Sequence, residues 1–130
     1  MSKNIEDNRI TMHYTRIYHY LNSISNNFQE SFRSAMTFSN ITIEQLSADS
    51  DVSIATIDRI RNADDYIPSK NTLFKLCIGM HLEYEISIDL FRKAGYSFSY
   101  SKEDLLYSYI LRKCKDDDIE TCLLYLNDKN

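Results

Sequence analysis

Glycine and proline are almost missing from this chain: two glycines and one proline stand in 130 residues, and tryptophan does not occur. Sandwiches and barrels turn about every 8–12 residues, and their turns draw on Gly and Pro. A doubly wound nucleotide-binding fold needs a glycine-rich phosphate loop. Both architectures are therefore excluded, and an all-α fold is expected. Cysteine is scarce too. Cys77, Cys114 and Cys122 are an odd number with no CxxC spacing. That argues against a disulfide framework or a zinc knuckle and for a reducing, cytoplasmic setting. Long apolar runs are also missing. The most apolar stretch, Leu73 to Leu82, is broken by Lys75, Gly79 and His81. It is too short and too polar to span a membrane, and no membrane partner is expected. Residues 1–7 carry no apolar leader. There is no nucleophile elbow, HExxH or phosphate loop, so no enzymatic activity and no cofactor are expected. Cys77 and His81 share one helix face at i, i+4, but two further metal ligands are lacking.

What remains is ordinary globular composition, 43% apolar and 26% charged. The length suits one domain or a small domain with appendages. The net charge is −4.

Helical patterning runs through the whole chain. Ile10, His13, Tyr14, Ile17, Tyr18 and Leu21 form one stripe over residues 8–22. After a polar break at 23–27, Phe28, Phe32, Ala35 and Met36 form a second, which should stop near Phe38–Asn40. Thr42-Ile43-Glu44-Gln45 reads as a capping box, with Thr42 accepting from the Gln45 amide and the Gln45 side chain reaching back. A short helix should follow to Ser50. Asp51 stands where a tight turn is needed, and Ser53 caps a helix to Asn62. Pro68-Ser69 opens a helix to about Leu82 whose apolar residues point in nearly every direction, the mark of a central, buried helix. Tyr84 to Ala94 is helical, with Gly95 as its left-handed C′ residue and Arg92 and Lys93 opposing the negative helix end. Ser101 and Asp118 are further start signals, ahead of Leu105, Leu106, Tyr109 and Ile110 and of Ile119, Cys122, Leu123 and Leu126. Seven helices and no sheet are expected.

The segment from Thr42 to Asn62 carries the functional signal. It reads as a capped helix, a tight turn and a second short helix, with the small residue Ser47 midway along the first so that the second can cross closely. These residues, with Asp51-Val52-Ser53, Thr56 to Ile60, Pro68-Ser69 and the tail Leu90 to Ser97, resemble the phage-repressor and Cro type of helix-turn-helix protein, also called the XRE family. The resemblance covers about residues 28–95. Two departures are Ile43, where the family usually has a polar residue, and Asp51, where it usually has Gly. The resemblance implies a five-helix helix-turn-helix domain over 27–96. An amphipathic helical extension would precede it over 1–26, and a C-terminal helical extension would follow over 97–130.

At 100° per residue along 53–62, Ser53, Ile57 and Ile60 cluster inward. Ala55, Asp58, Arg59 and Asn62 point outward, with Ile54 and Arg61 at the edge. Lying in a major groove, Arg59 would pair with guanine O6 and N7, and Asn62 with adenine N6 and N7. Ile54 or Ala55 would touch thymine methyls. Helix starts at Thr42 and at Ser69, Lys70 and Asn71 offer amides to phosphates.

Two functions follow. The first is a sequence-specific DNA-binding regulator, a repressor by the resemblance. It would bind an inverted repeat as a homodimer whose contact surface comes from helices 8–22 or 101–126. The second takes its cue from charge. Residues 27–66 contain Arg33, Arg59 and Arg61 against seven acidic residues, a balance of −4. Acidic surface forfeits the phosphate attraction on which DNA affinity draws. A phage or mobile-element protein with this fold would then bind and inhibit a host protein, such as a CRISPR nuclease, and could also repress its own promoter.

Overall fold

The computed structural model describes residues 2–127, with side chains from Arg9 to Leu126. Among the described residues there are eight α-helices and no strand. They are α1 (Ser2–Ser23), α2 (Phe28–Phe38), α3 (Ile43–Ser50), α4 (Ile54–Asn62), α5 (Lys70–Gly79), α6 (Tyr84–Lys93), α7 (Lys102–Lys113) and α8 (Ile119–Asn127). Each of the eight segments described from the sequence forms its own helix, so the expected total of seven is one short. No described helix is long and apolar enough to cross a membrane.

The helix ends follow from local chemistry. Asn27, Thr42, Ser53, Ser69 and Ser101 each accept the amide of the third residue on, satisfying a donor that has no partner within the helix. Asp118 does the same for Thr121 at 2.8 Å. Only half of the expected capping box forms. Gln45 Nε2 donates forward to Asp49 Oδ1 at 2.8 Å and does not reach back to Thr42.

Left-handed residues stop four helices. Asn40 (φ 55°) follows α2, Asp51 (φ 61°) follows α3, His81 (φ 51°) follows α5 and Gly95 (φ 90°) follows α6. His81 stops α5 three residues short of the expected Leu82: the Leu82 amide turns back to the Cys77 carbonyl at 3.3 Å. Its imidazole is exposed, and Nδ1 meets the Lys115 carbonyl at 2.7 Å.

One hydrophobic core holds α2 to α8 together, with Ile17 of α1 at its edge. Helix α5 is its axis, with Leu73, Phe74, Leu76, Cys77 and Ile78 all buried, as its patternless apolar sequence predicts. At Gly79, α5 meets the end of α3 backbone to backbone. A Cβ there would lie 2.8 Å from Ser50 Cβ and 3.0 Å from Ser50 Cα, so no larger residue permits this approach. That contact seats the turn that follows Ser50. Helices α7 and α8 close over α5 through Tyr107, Ile110, Leu111, Ile119 and Cys122. The buried face of α7 is rotated from expectation, with Leu105 and Tyr109 exposed.

Arg92 and Lys93 do not oppose a bare helix end. Both pair with Asp89, itself buried, and Lys93 Nζ lies 2.7 Å from its carboxylate and 3.0 Å from Ser31 Oγ. This ion cluster ties α6 to α2. The stripe of α1, one of the two expected dimer surfaces, is only partly covered within the chain. Ile17 is buried, but Ile10, Tyr14 and Tyr18 are largely exposed.

Candidate nucleic-acid interface

Helices α3 and α4 are joined by Asp51, Val52 and Ser53, and a set of short hydrogen bonds ties this turn. The Asp51 amide caps the Ser47 carbonyl at 3.1 Å. Ser47 Oγ donates to the Val52 carbonyl at 2.7 Å, and the Val52 amide donates to Ser50 Oγ at 3.2 Å. The small side chain at position 47 therefore both makes room and ties the turn. Asp51 takes up the left-handed conformation that Asp tolerates better than most residues.

Helix α4 is anchored from behind by Ile57 and Ile60, both fully buried. Its other face carries Ile54, Ala55, Asp58, Arg59 and Asn62, all exposed. Ile54 is 47% exposed, an uncompensated apolar surface at the first turn. Ser53 is exposed as the N-cap, not turned inward as the angular count places it.

The polar side chains of this face are already oriented. The Arg59 guanidinium lies 4.2 Å from the centre of the Tyr66 ring. Asn62 Nδ2 donates to Asp58 Oδ1 at 2.9 Å, one turn back along the helix. Tyr66 is held in turn by Gln29, a buried α2 side chain whose Nε2 donates to the carbonyls of Tyr66 (2.9 Å) and Ala63 (3.2 Å). Sequence reasoning missed Tyr66 and Gln29. Loop residues carry no periodicity, and Gln29 acts on positions 34 and 37 residues away.

A cleft of about 490 Å³ opens beside this face, lined among others by Arg33, Asn40, Thr42 and Arg61. Arg33 donates to the Arg61 carbonyl and so fixes the end of α4 against α2. Two of the three cations of residues 27–66 therefore meet at the start of α3, where Thr42 was expected to sit near phosphate.

The start of α5 is different. Ser69 is spent on the Thr72 amide and hydroxyl, at 3.1 and 3.0 Å. The Lys70 ammonium is 2.7 Å from Asp104 Oδ1 and 3.0 Å from the Ser97 carbonyl, over the Phe98 ring. The hydrogen bond from Lys70 and that from the Ser99 amide hold the Asp104 carboxyl down to about 2, well below its usual range. Asn71 Nδ2 reaches the Tyr107 hydroxyl at 3.2 Å. The Lys70 and Asn71 side chains thus bind α7, a contact that no local signal announces; the phosphate expectation concerns the backbone amides at this helix start. The three cysteines are buried and free, and burial pushes the Cys77 and Cys122 thiols up to about 12. They are protonated at neutral pH and not nucleophilic.

No family model matches the chain, and no curated protein or solved structure is significantly similar to it.

Proposed function

We propose that this chain is a sequence-specific DNA-binding regulator of the repressor type, with α3, the Asp51 turn and α4 as its helix-turn-helix unit. One observation carries this reading: α4 presents an unbroken exposed strip, Ile54, Ala55, Asp58, Arg59 and Asn62, over the buried anchors Ile57 and Ile60. Such an exposed strip on a short helix suits the dimensions of a major groove. Arg59, steadied on Tyr66, reads guanine. Asn62 keeps its carbonyl oxygen and its second N–H for adenine while Asp58 holds the first. Ile54 and Ala55 meet thymine methyls. Arg33 and Arg61 supply phosphate contacts beside the first turn of α3. A symmetric pair of chains would set two α4 helices one DNA turn apart on an inverted repeat. Action on cytoplasmic DNA belongs to the same reading.

The test is a gel shift with the DNA upstream of the protein's own coding sequence, across a salt series. Specific binding that weakens steeply with salt is expected. Arg59→Ala should cost about 1–3 kcal/mol and relax specificity at one base position. Tyr66→Ala should weaken binding less, because it removes the support and leaves the reader. Absence of a shift on any fragment at low salt overturns the reading.

A second reading rests on the same strip. Asp58 projects from its centre, and the surrounding 27–66 segment carries −4 while the rest of the chain balances at twelve charges of each sign. A basic protein surface, such as the nucleic-acid channel of a host nuclease, would accept it. Stable capture of such an enzyme without any DNA shift would establish this alternative.

A further inference from the structure

We propose that α1 pairs antiparallel with α1 of a second copy, about a two-fold axis passing between Thr15 and Arg16. A groove of about 530 Å³ runs along this helix, floored by Ile17 and walled by Ile10, Tyr14, Tyr18 and Leu21. Ile10 and Tyr14 are 67% and 68% exposed, and Tyr18 is 53% exposed. Single exposed apolar residues are ordinary, but a contiguous apolar strip rimmed by polar groups marks an interaction surface. Arg9, His13, Asn22 and Glu85 form that rim.

The pattern along α1 selects a second copy. Ile10, Tyr14, Ile17 and Leu21 are spaced 4, 3 and 4, which reads the same in both directions. About an axis at the middle of the stripe, Ile10 opposes the partner's Leu21 and Tyr14 opposes the partner's Ile17. The polar ends also match, since Arg9 opposes the partner's Asn22. Each contact occurs twice, as an isologous interface requires.

Charge decides the direction. Helix α6 runs alongside α1 in the same sense. His13 Nε2 lies 3.4 Å from Glu83, and Tyr20, further along, feels the charge of Asp89. Glu85, two residues on from Glu83, therefore flanks the middle of the stripe beside the two-fold axis, while Arg9 lies at its N-terminal end. Antiparallel pairing keeps the two Arg9 side chains at opposite ends of the pair, each beside the partner's Asn22. Parallel pairing would set Arg9 against the partner's Arg9.

The strip would remove on the order of 1,000 Å² from water across both copies, at the lower edge of specific interfaces. The dimer is therefore expected to form only well above about 1 µM, and to tighten when both copies engage adjoining half-sites. The proposal names the surface for the dimer in the DNA-binding reading, but it is tested without DNA. Its failure and that of the DNA reading are then seen separately.

Sedimentation equilibrium of the full chain, from about 1 to about 500 µM, reads the outcome. The expected mass rises from 15.3 kDa toward twice that value. Tyr14→Asp should hold the mass at one chain at every concentration, and at about 1 µM its circular dichroism spectrum and melting temperature should match the wild type, because Tyr14 is exposed. Under mild oxidation the double variant Arg9→Cys, Asn22→Cys should cross-link into dimers, and neither single variant should. The wild-type cysteines are buried and give no background. A constant one-chain mass at 500 µM overturns the proposal. So does efficient cross-linking of Arg9→Cys alone, which would mean parallel helices.

Discussion

Helices α1 and α5 are both rich in apolar residues and sit at opposite extremes of burial. In α5 every residue from Leu76 to Gly79 is buried, and α3, α6, α7 and α8 all pack on it. In α1, Ile17 is the one described side chain that is buried, and α6 is the main neighbour. The difference lies in how the apolar groups are arranged around the helix axis. A helix apolar on all sides has no face to give to water and must be enclosed. A helix with one stripe can be satisfied by one neighbour, and that neighbour need not belong to the same chain. Periodicity thus identifies a face and leaves open what covers it.

The contrast is broken most forcefully in the middle of α5. Phe74 is fully buried, with its ring centre 4.7 Å from that of Tyr107. Phe74→Ala should destabilise the fold by about 3–5 kcal/mol through lost burial and the cavity left behind. Urea unfolding followed by circular dichroism checks this. A loss below about 1 kcal/mol would mean that α5 is not the axis described.

Gly79→Ala comes next. Alanine would gain about 1 kcal/mol of helix propensity. Against that, its Cβ would stand 2.8 Å from Ser50 Cβ and 3.0 Å from Ser50 Cα and N. Two of those atoms are backbone and cannot step aside, so α3 must shift, at a cost of about 1–3 kcal/mol. The net expectation is destabilisation. Because Ser50 precedes the Asp51 turn, DNA binding should fall by more than stability alone explains. Melting and gel-shift measurements on the same variant separate the two effects.

The Lys70–Asp104 pair, at the start of α5, gives a pH signature. The folded-state carboxyl titrates at about 2 and the unfolded one near 4. A lowered pKa means that the stabilisation is complete above the unfolded value and is lost as pH falls from about 4 to about 2. Lys70→Met should shrink this acid limb, and NMR titration of Asp104 should then give a value closer to the ordinary one. An unchanged Asp104 titration would dissolve the pair.

Local chemistry was legible in the residues, and tertiary partnership was not. The stripe of α2, the Thr42 and Ser53 caps, the left-handed turn at Asp51 and the stop at Gly95 all depend on near neighbours. Arg59 and Asn62 were placed outward correctly, because only the angular position of each along α4 was needed. Their partners divide on the same line. Asp58 lies one helical turn from Asn62, whereas Tyr66 reaches Arg59 only because the loop folds back under Gln29. The Lys70 ammonium finds its partner in the same non-local way. Asp104 is 34 residues away, and no spacing rule connects them.

The smallest expected effect completes the contrast. Ile10 of α1 is as apolar as any α5 residue, yet it is 67% exposed. Ile10→Gln removes no buried contact within the chain and leaves no cavity, and glutamine is a slightly better helix former than isoleucine. At about 1 µM, where the chain is expected to be a monomer, the variant should therefore match the wild type within about 0.5 kcal/mol. At several hundred micromolar the two should separate, because the wild type gains stability from association and the variant does not. A concentration series of thermal melts reads both. A loss of 2 kcal/mol at the low concentration would place Ile10 inside its own fold and erase the distinction between the helices. Equal melting at every concentration would show that water alone covers the stripe.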